Sequence, residues 1–352
     1  MPSSEARLTI DLDALAANFA NLRQLAGGAE VAPVVKADGY GLGVAQVARR
    51  LRAEGSTSFF VARVSEGEIL RRVLGAGPVI YVLDGCPPGA ATRLEAADLI
   101  PVLNSAEQIA EWRAYGARTP IALHIDTGLN RLGVGRHEFS ARHGLEVGLV
   151  ISHLSCASEP DDPANARERG AFAEVRALFP NARASLANSA GVCLGADYRY
   201  ELVRPGIALY GGGPCGRPDP RFVPVATLEA PILQVREVAA GERIGYGGAF
   251  TAPQAMRIAI VAAGYADGVL RAQSPGGYGW LDGRPRALLG RVSMDLIAID
   301  VSEDAAPRPG DLVELLGANV TLDNVAAAAG TISYEILTRL STRAERRYLG
   351  EA

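Results

Sequence analysis

Apolar residues in this chain gather into short runs, separated by longer stretches with helical periodicity. A first run at 8–12 reads as a strand, and 13–25 carries Leu15, Phe19 and Leu22 on one helical face before Gly27-Gly28 stops it. Runs rich in Val, Ile, Leu and Ala then recur at 31–35, 58–62, 79–83, 99–103, 121–125, 146–152, 184–187 and 201–203. Each gap can hold a helix. Ser65 with Glu68 and Ser105 with Gln108 have capping-box spacing, and 164–178 is a long helix former stopped before Pro180. Eight strand and helix alternations predict an α/β fold, a parallel (β/α)8 TIM-type barrel. A doubly wound open sheet would show fewer strands and typically a glycine-rich fingerprint after the first. Pro33 cannot donate to a ladder, yet its run still reads as a strand.

The pattern changes near Gly211-Gly212-Gly213-Pro214. Beyond it, 225–237, 256–262, 286–288, 297–301 and 312–315 read as strands broken by Gly, Pro and Asp turns, with one short helix at 322–329. The expected division is a barrel over 9–222 and a mostly β domain over 223–352, with which the N-terminal strand 1–8 can pack.

Composition narrows the function classes. In 352 residues, 48% hydrophobic content supports substantial cores. A net charge of -4 with the signs mixed argues against a nucleic-acid surface or a polybasic membrane patch. Cys86, Cys156, Cys193 and Cys215 are scattered, with no metal-ligand or redox spacing, so free thiols in a reducing compartment are expected and no metal site. The stretch Met1-Pro2-Ser3-Ser4-Glu5-Ala6-Arg7 lacks a basic-then-apolar signal, and no apolar run reaches membrane-spanning length, which predicts a cytoplasmic protein.

The first barrel run ends in Lys36, followed by Gly39-Tyr40-Gly41-Leu42-Gly43. A lysine at the end of a buried strand loses hydration, which pushes it toward the neutral, nucleophilic amine that Schiff-base chemistry requires. The ordinary alternative is an ammonium that snorkels into water, but the glycines let backbone approach a ligand closely and favour the chemical reading. TIM-type barrels carry function at the carboxyl ends of their strands. There, strand five runs into Asp126-Thr127-Gly128-Leu129-Asn130-Arg131 and strand six ends at His153. Strand seven leads to Asn188-Ser189-Ala190-Gly191, and strand eight to Arg204-Pro205-Gly206-Ile207. Ser189 with the N–H groups of Gly206 and Ile207 could cradle a phosphate. A Schiff-base lysine opposite a phosphate cup is the pair of anchors that pyridoxal 5'-phosphate needs. Singly, each arginine could be an ion-pair partner, Ser-Ala-Gly a turn and His153 a core histidine. Their convergence on one end of the strands is the signal.

Over essentially its whole length the chain resembles the alanine racemases, fold-type III pyridoxal-phosphate enzymes. The resemblance lies in 36–43, His153-Leu154-Ser155-Cys156-Ala157, Asn188-Ser189-Ala190, Val203-Arg204-Pro205-Gly206, Gly264-Tyr265-Ala266-Asp267-Gly268, Gly290-Arg291-Val292-Ser293-Met294-Asp295 and Ile332-Ser333-Tyr334-Glu335. It implies a homodimer that interconverts L- and D-alanine for peptidoglycan, with Lys36 as aldimine lysine and base on one face of the substrate. Tyr265 is then the base on the other face, supplied across the dimer interface. Arg131 and the Met294 backbone would hold the substrate carboxylate, and Tyr40, Ser189, Gly206, Ile207 and Tyr334 the phosphate. Arg204 would face the pyridine nitrogen, with His153 hydrogen-bonded behind it. Arginine keeps its proton, so the ring would stay a weaker electron sink. Many family members carry a carbamylated lysine, which orients the substrate-binding arginine, where this chain has His124. A neutral imidazole lacks that charge, so another group orients Arg131 or His124 is plain strand packing. A broad-specificity amino-acid racemase of the same fold is the alternative within the class. A non-catalytic pyridoxal-phosphate-binding barrel would lack the β domain, and a related decarboxylase would bring an acidic residue to the pyridine nitrogen.

Overall fold

The computed structural model describes residues 5–116, 119–135, 144–303 and 307–351, so the first four residues of the stretch read for a signal lie outside it. The chain divides into two compact units, Ala16–Leu209 and Met1–Leu15 with Tyr210–Glu351. Residues 9–15 and 210–222, expected in the barrel domain, therefore belong to the β unit. The cause at the amino end is pairing: β1 (Arg7–Asp11) lies antiparallel to one strand of that unit and parallel to another, so backbone groups on both its edges are satisfied there.

The first unit is the barrel that the eight apolar runs predict. Its strands are β2 (Glu30–Val31), β3 (Ser58–Val61), β4 (Val79–Val82), β5 (Ile100–Leu103), β6 (Ile121–His124), β7 (Val147–Ile151), β8 (Arg183–Ser185) and β9 (Leu202–Val203). From β3 to β8 each pairs in parallel with the next, and β2 pairs in parallel with β9. Two seams close the ring. Between β2 and β3, Phe60 N–H donates to Pro33 O and Val35 N–H to Phe60 O, both at 2.9 Å; between β8 and β9, Arg204 N–H donates to Ala187 O at 2.9 Å.

Pro33 fits because the barrel supplies a substitute donor. Alternate residues of this strand bond to opposite neighbours, so Ala32 and Val34 donate to Val203 O and Pro205 O, while Pro33 and Val35 face Phe60. The donor that Pro33 lacks on the β3 side is made good at Ser58 O, which accepts the buried Ser56 hydroxyl at 3.0 Å.

The helix after β3 begins earlier than its sequence suggests, at Val64–Leu74. Arg63 occupies the N-cap position, so the capping carboxylate three residues on is Glu66, and the Ser65 with Glu68 box is not formed. Glu68 instead pairs with Arg93 through two 2.8 Å bonds. Ser105 does cap the helix Ala106–Tyr115, accepting Gln108 N–H at 3.3 Å. Asp162 caps Pro163–Ala177.

In the second unit β10 (Ala226–Val238) is the spine. Its first half pairs with β1 and its second half with β13, and the register shifts between Ile232 and Gln234 beside Pro231, where a bulge lets the strand bend. After β10 come β11 (Arg243–Ile244), β12 (Phe250–Thr251), β13 (Met256–Val261), β14 (Tyr278–Leu281), β15 (Arg284–Leu289), β16 (Ile297–Asp300), β17 (Leu312–Leu316) and β18 (Glu345–Leu349). Strand order runs β13, β16, β15, β14, β17, β10, β1, β18, and the β13–β10 pairing closes the first six into a ring. Val238, Ile244, Met256, Ile258 and Leu289 form one of its apolar clusters. Sequence reading overlooked β11, β12, β14, β18 and the helix Ser333–Thr338. Two of those strands span only two residues, and β18 is a charged edge strand, Glu-Arg-Arg-Tyr-Leu, with no apolar run to reveal it.

Ser56→Ala leaves Ser58 O without its buried donor. It should lower stability to urea by about 1–2 kcal/mol, the size of an unmade buried hydrogen bond; an unchanged midpoint would show that Pro33 needs no substitute donor.

Candidate active site

Lys36 ends the first barrel strand half-buried, and the backbone then turns left-handed. Ala37, Asp38, Gly39 and Tyr40 have φ of 52°, 55°, 63° and 58°. A left-handed turn costs roughly 1–2 kcal/mol for each residue with a Cβ, so something must hold it. Ala37 N–H donates to Glu66 Oε1 at 2.8 Å, Val44 N–H to Asp38 Oδ1 at 2.8 Å, and Gly43 N–H to Asp38 O at 2.9 Å. Burial is the larger cause that lowers the Lys36 pKa from 10.5, with the Arg131 charge second; Glu66 and Asp84 act the other way. Lys36 is also the one lysine of the chain.

The turn delivers the buried Tyr40 onto strand eight's end. A Cβ built on Gly206 would lie 2.0 Å from Tyr40 Oη, so glycine alone lets phenol and backbone share that space. Ser189 Oγ, buried, accepts Gly206 N–H at 2.9 Å and Ala208 N–H at 3.3 Å, while Asn188 Oδ1 accepts Gly191 N–H at 2.9 Å. The buried Ile207 N–H has no acceptor among the described residues.

Arg204 is buried, and no carboxylate pairs with it among the described residues. Neutral oxygens hold it: Nη1 donates to Ser185 O at 2.8 Å and to Ser185 Oγ, and Nη2 to Ser152 O at 2.6 Å. Its Cζ stands 5.9 Å from the centroid of the Phe60 ring. Burial pulls its pKa down to about 9, which still leaves it charged at neutral pH. The Nε–H has no protein acceptor among the described residues, so the site keeps a charged donor to offer a ligand. His153 is not the group behind Arg204. Serine oxygens fill that place, and His153 Nε2 instead lies 3.5 Å from Asn188 Nδ2. Burial and then the Arg204 charge hold its imidazole neutral, well below 6.5.

Burial, then the charges of Arg204 and Arg131, take the His124 pKa down to about 3. Asn104 Nδ2 donates to Leu83 O and Val102 O, which leaves Oδ1 to accept from His124 Nδ1 at 2.8 Å. His124 is thus a neutral, buried strand residue with its Nε2 lone pair unused among the described residues. Arg131 is exposed and pairs with no carboxylate among them. Its loop is fixed by Asp126, whose carboxylate accepts Gly128 N–H at 3.0 Å and Asn130 N–H at 3.1 Å.

The other residues that the sequence singles out, Tyr265, Met294 and Tyr334, lie in the β unit. Gly264 packs so closely on the Ser293-Met294 backbone that a Cβ would come within 2.3 Å of Met294 O. Tyr265 N–H donates to Ser293 O and Ala266 N–H to Met294 O, both at 3.0 Å, so Tyr265 and Met294 form one piece. Arg343 clasps it, 2.9 Å from Asp267 and 2.6 Å from Asp295. Both side chains are presented outward, Tyr265 44% and Met294 53% exposed. Tyr334 is on the helix Ser333–Thr338, which is pinned by Ser333 Oγ donating to Asp323 Oδ1 at 2.6 Å.

Sequence reasoning missed Glu66, Asn104, Ser152 and Ser185. Glu66 carried a signal, a carboxylate at capping distance from a strand end, but the capping-box pattern falls two residues too late.

The sequence profile for the alanine racemase N-terminal domain matches residues 10–214, and that for the C-terminal domain 225–348. A protein of Methylobacterium nodulans named alanine racemase is 48% identical, covering 99% of this chain and 97% of its own. One of Mesorhizobium japonicum named catabolic alanine racemase is 46% identical, covering 99% and 96%. Among solved structures, alanine racemase from Bartonella henselae with covalently bound pyridoxal phosphate superposes with a TM-score of 0.92 at 35% identity, covering 99% of this chain and 100% of that one. The biosynthetic alanine racemase of Pseudomonas aeruginosa gives 0.93 at 34%, with the same coverage. By both of its domains, this chain belongs to the alanine racemase family.

Proposed function

We propose that this chain is a pyridoxal-phosphate-dependent racemase that interconverts L- and D-alanine with two bases, Lys36 and Tyr265, as a homodimer. The observation that carries the reading is the pairing, in one barrel, of the only lysine with the Tyr40, Ser189 and Gly206 cup. The donors fit the group. Tyr40 Oη, Ser189 and the N–H groups of Gly206 and Ile207 would hold a phosphate, Arg204 Nε–H would face the pyridine nitrogen, and the Lys36 amine would bind the aldehyde carbon.

When bound, pyridoxal phosphate supplies the electron-withdrawing ring that makes the α-hydrogen of an amino acid acidic. The protein's part is placement and proton traffic. Arg131, on its Asp126-fixed loop, would hold the substrate carboxylate together with the Met294 backbone. Lys36 Nζ would take or return a proton on one face of the α-carbon, helped by the burial that favours its neutral form. Tyr265 Oη would serve the other face from the partner subunit, which its outward presentation beside Met294 supports. His124 and His153, kept neutral, add no further positive charge around Arg204.

The relatives carry both catabolic and biosynthetic names. We assign this chain to D-alanine supply for peptidoglycan. Disrupting its gene in the native host should then impose a requirement for D-alanine, and unimpaired growth without it would place the enzyme in breakdown.

Borohydride treatment of the loaded protein should fix the cofactor on the peptide containing Lys36, and chiral chromatography should show alanine racemised ahead of other amino acids. Cofactor on the chain's α-amino group, or no cofactor, removes the basis of the reading. Gly206→Ala forces Tyr40 aside and should weaken cofactor binding at least tenfold. Gly264→Ala should leave cofactor bound and still lower racemisation sharply, because the Tyr265 piece is forced off Met294.

Tyr265→Phe should abolish racemisation in both directions, since each needs one group to take the proton and another to return it. It should still exchange the α-hydrogen of D-alanine with deuterated solvent, through Lys36, far faster than that of L-alanine. Mixing inactive Tyr265→Phe with inactive Lys36→Ala should restore activity as subunits exchange. Exchange without recovery would place Tyr265 in its own chain's site or remove it as the second base.

A further inference from the structure

We infer that Glu66 is a positioning residue of this site: its carboxylate locks the left-handed turn that aims Lys36 and Tyr40 at the cofactor. The inference rests on the reading of Lys36 given above. Oε2 accepts Ala62 N–H at 2.8 Å and Arg63 N–H at 3.1 Å, and Oε1 accepts Ala37 N–H at 2.8 Å. One carboxylate thus ties the chain after the first barrel strand to the chain after the second. Capping the helix Val64–Leu74 requires only the bond to Arg63. The bond to Ala37 lies outside that helix, at the first of five consecutive residues with positive φ, three of which carry a Cβ. Glu66 is the sole acceptor of the Ala37 N–H among the described residues, and its bond fixes the peptide that follows Lys36. Other bonds of the turn, Gly39 N–H to Val35 O at 3.0 Å and Val44 N–H to Asp38 Oδ1 at 2.8 Å, hold its interior and far end and leave the peptide after Lys36 to Glu66.

The charge has a second consequence. Lys36 loses stability as an ammonium through burial and through Arg131, and the Glu66 carboxylate opposes both. A glutamine offers one acceptor oxygen where the glutamate offers two, so Glu66→Gln turns an NH2 group toward either Ala37 or the β3 end and removes the charge.

The single lysine makes the test direct. Reductive methylation of the cofactor-free full chain with 13C-formaldehyde labels Lys36 and the α-amino group, and their 13C shifts titrate separately. Glu66→Gln should move the Lys36 midpoint to lower pH and weaken pyridoxal phosphate binding about tenfold or more, the loss of a charge-assisted hydrogen bond. Ser105→Ala, which removes a helix cap elsewhere in the barrel, should lower the melting temperature while leaving both readouts at wild-type values. Glu66→Gln behaving like Ser105→Ala would overturn the proposal and reduce Glu66 to a helix cap. Should Glu66→Gln fail to fold, hydrogen exchange in the native protein decides: the Ala37 amide should be strongly protected, and exchange at the rate of an open loop overturns the proposal. If the wild-type chain binds no pyridoxal phosphate, the reading of the site fails, whereas the Lys36 titration and the Ala37 exchange rate still judge Glu66.

Discussion

A guanidinium buried without a carboxylate is the constraint to which the barrel interior answers. Arg204 keeps its charge where hydration is lost, and a carboxylate beside it would compensate that charge. The barrel offers Ser152 and Ser185 oxygens and the face of Phe60 instead. An uncompensated positive centre then governs its neighbours. It is the second cause, after burial, that keeps both His153 and His124 neutral. The Nε–H left without a protein acceptor among the described residues suits a neutral acceptor such as a ring nitrogen, to which arginine can donate a hydrogen bond without transferring a proton.

Close backbone approach is a second constraint, met once in each unit. At Gly206 the missing Cβ admits a phenol, and at Gly264 it admits the Ser293-Met294 carbonyls. In each case the missing Cβ sets where the backbone beside a tyrosine or under its ring can run. The side chains proposed to meet a substrate, Lys36, Arg131 and Tyr265, are less buried: the first is half-buried and the other two are exposed.

The barrel was legible because parallel strands covered on both faces read as continuous apolar runs, and eight of them left little room for another topology. The β unit was legible only where strands were long or apolar. Two-residue pairings and the charged edge strand β18 carry no such pattern. Candidates at strand ends, such as Lys36 and Arg204, stand out in the sequence because position and chemistry coincide there. The backing of Arg204 could not, because serine oxygens are ordinary in sequence and become its acceptors only when β7, β8 and β9 converge. His124 shows the same limit, since its neutrality follows from burial and then from the charges of Arg204 and Arg131, and its hydrogen-bond partner Asn104 lies twenty residues away.

The choice of basic residues sharpens the chemistry of Lys36. Of the 35 lysines and arginines in the chain, all but Lys36 are arginine. An arginine holds its proton at neutral pH and offers no free amine lone pair, so it is a poor partner for an aldehyde. Discrimination among side-chain amines is therefore complete before any cup forms. Placement on the barrel acts differently, lowering the pKa of that one amine by burial and by the Arg131 charge. The reactivity of that amine is thus set twice, by composition and by burial.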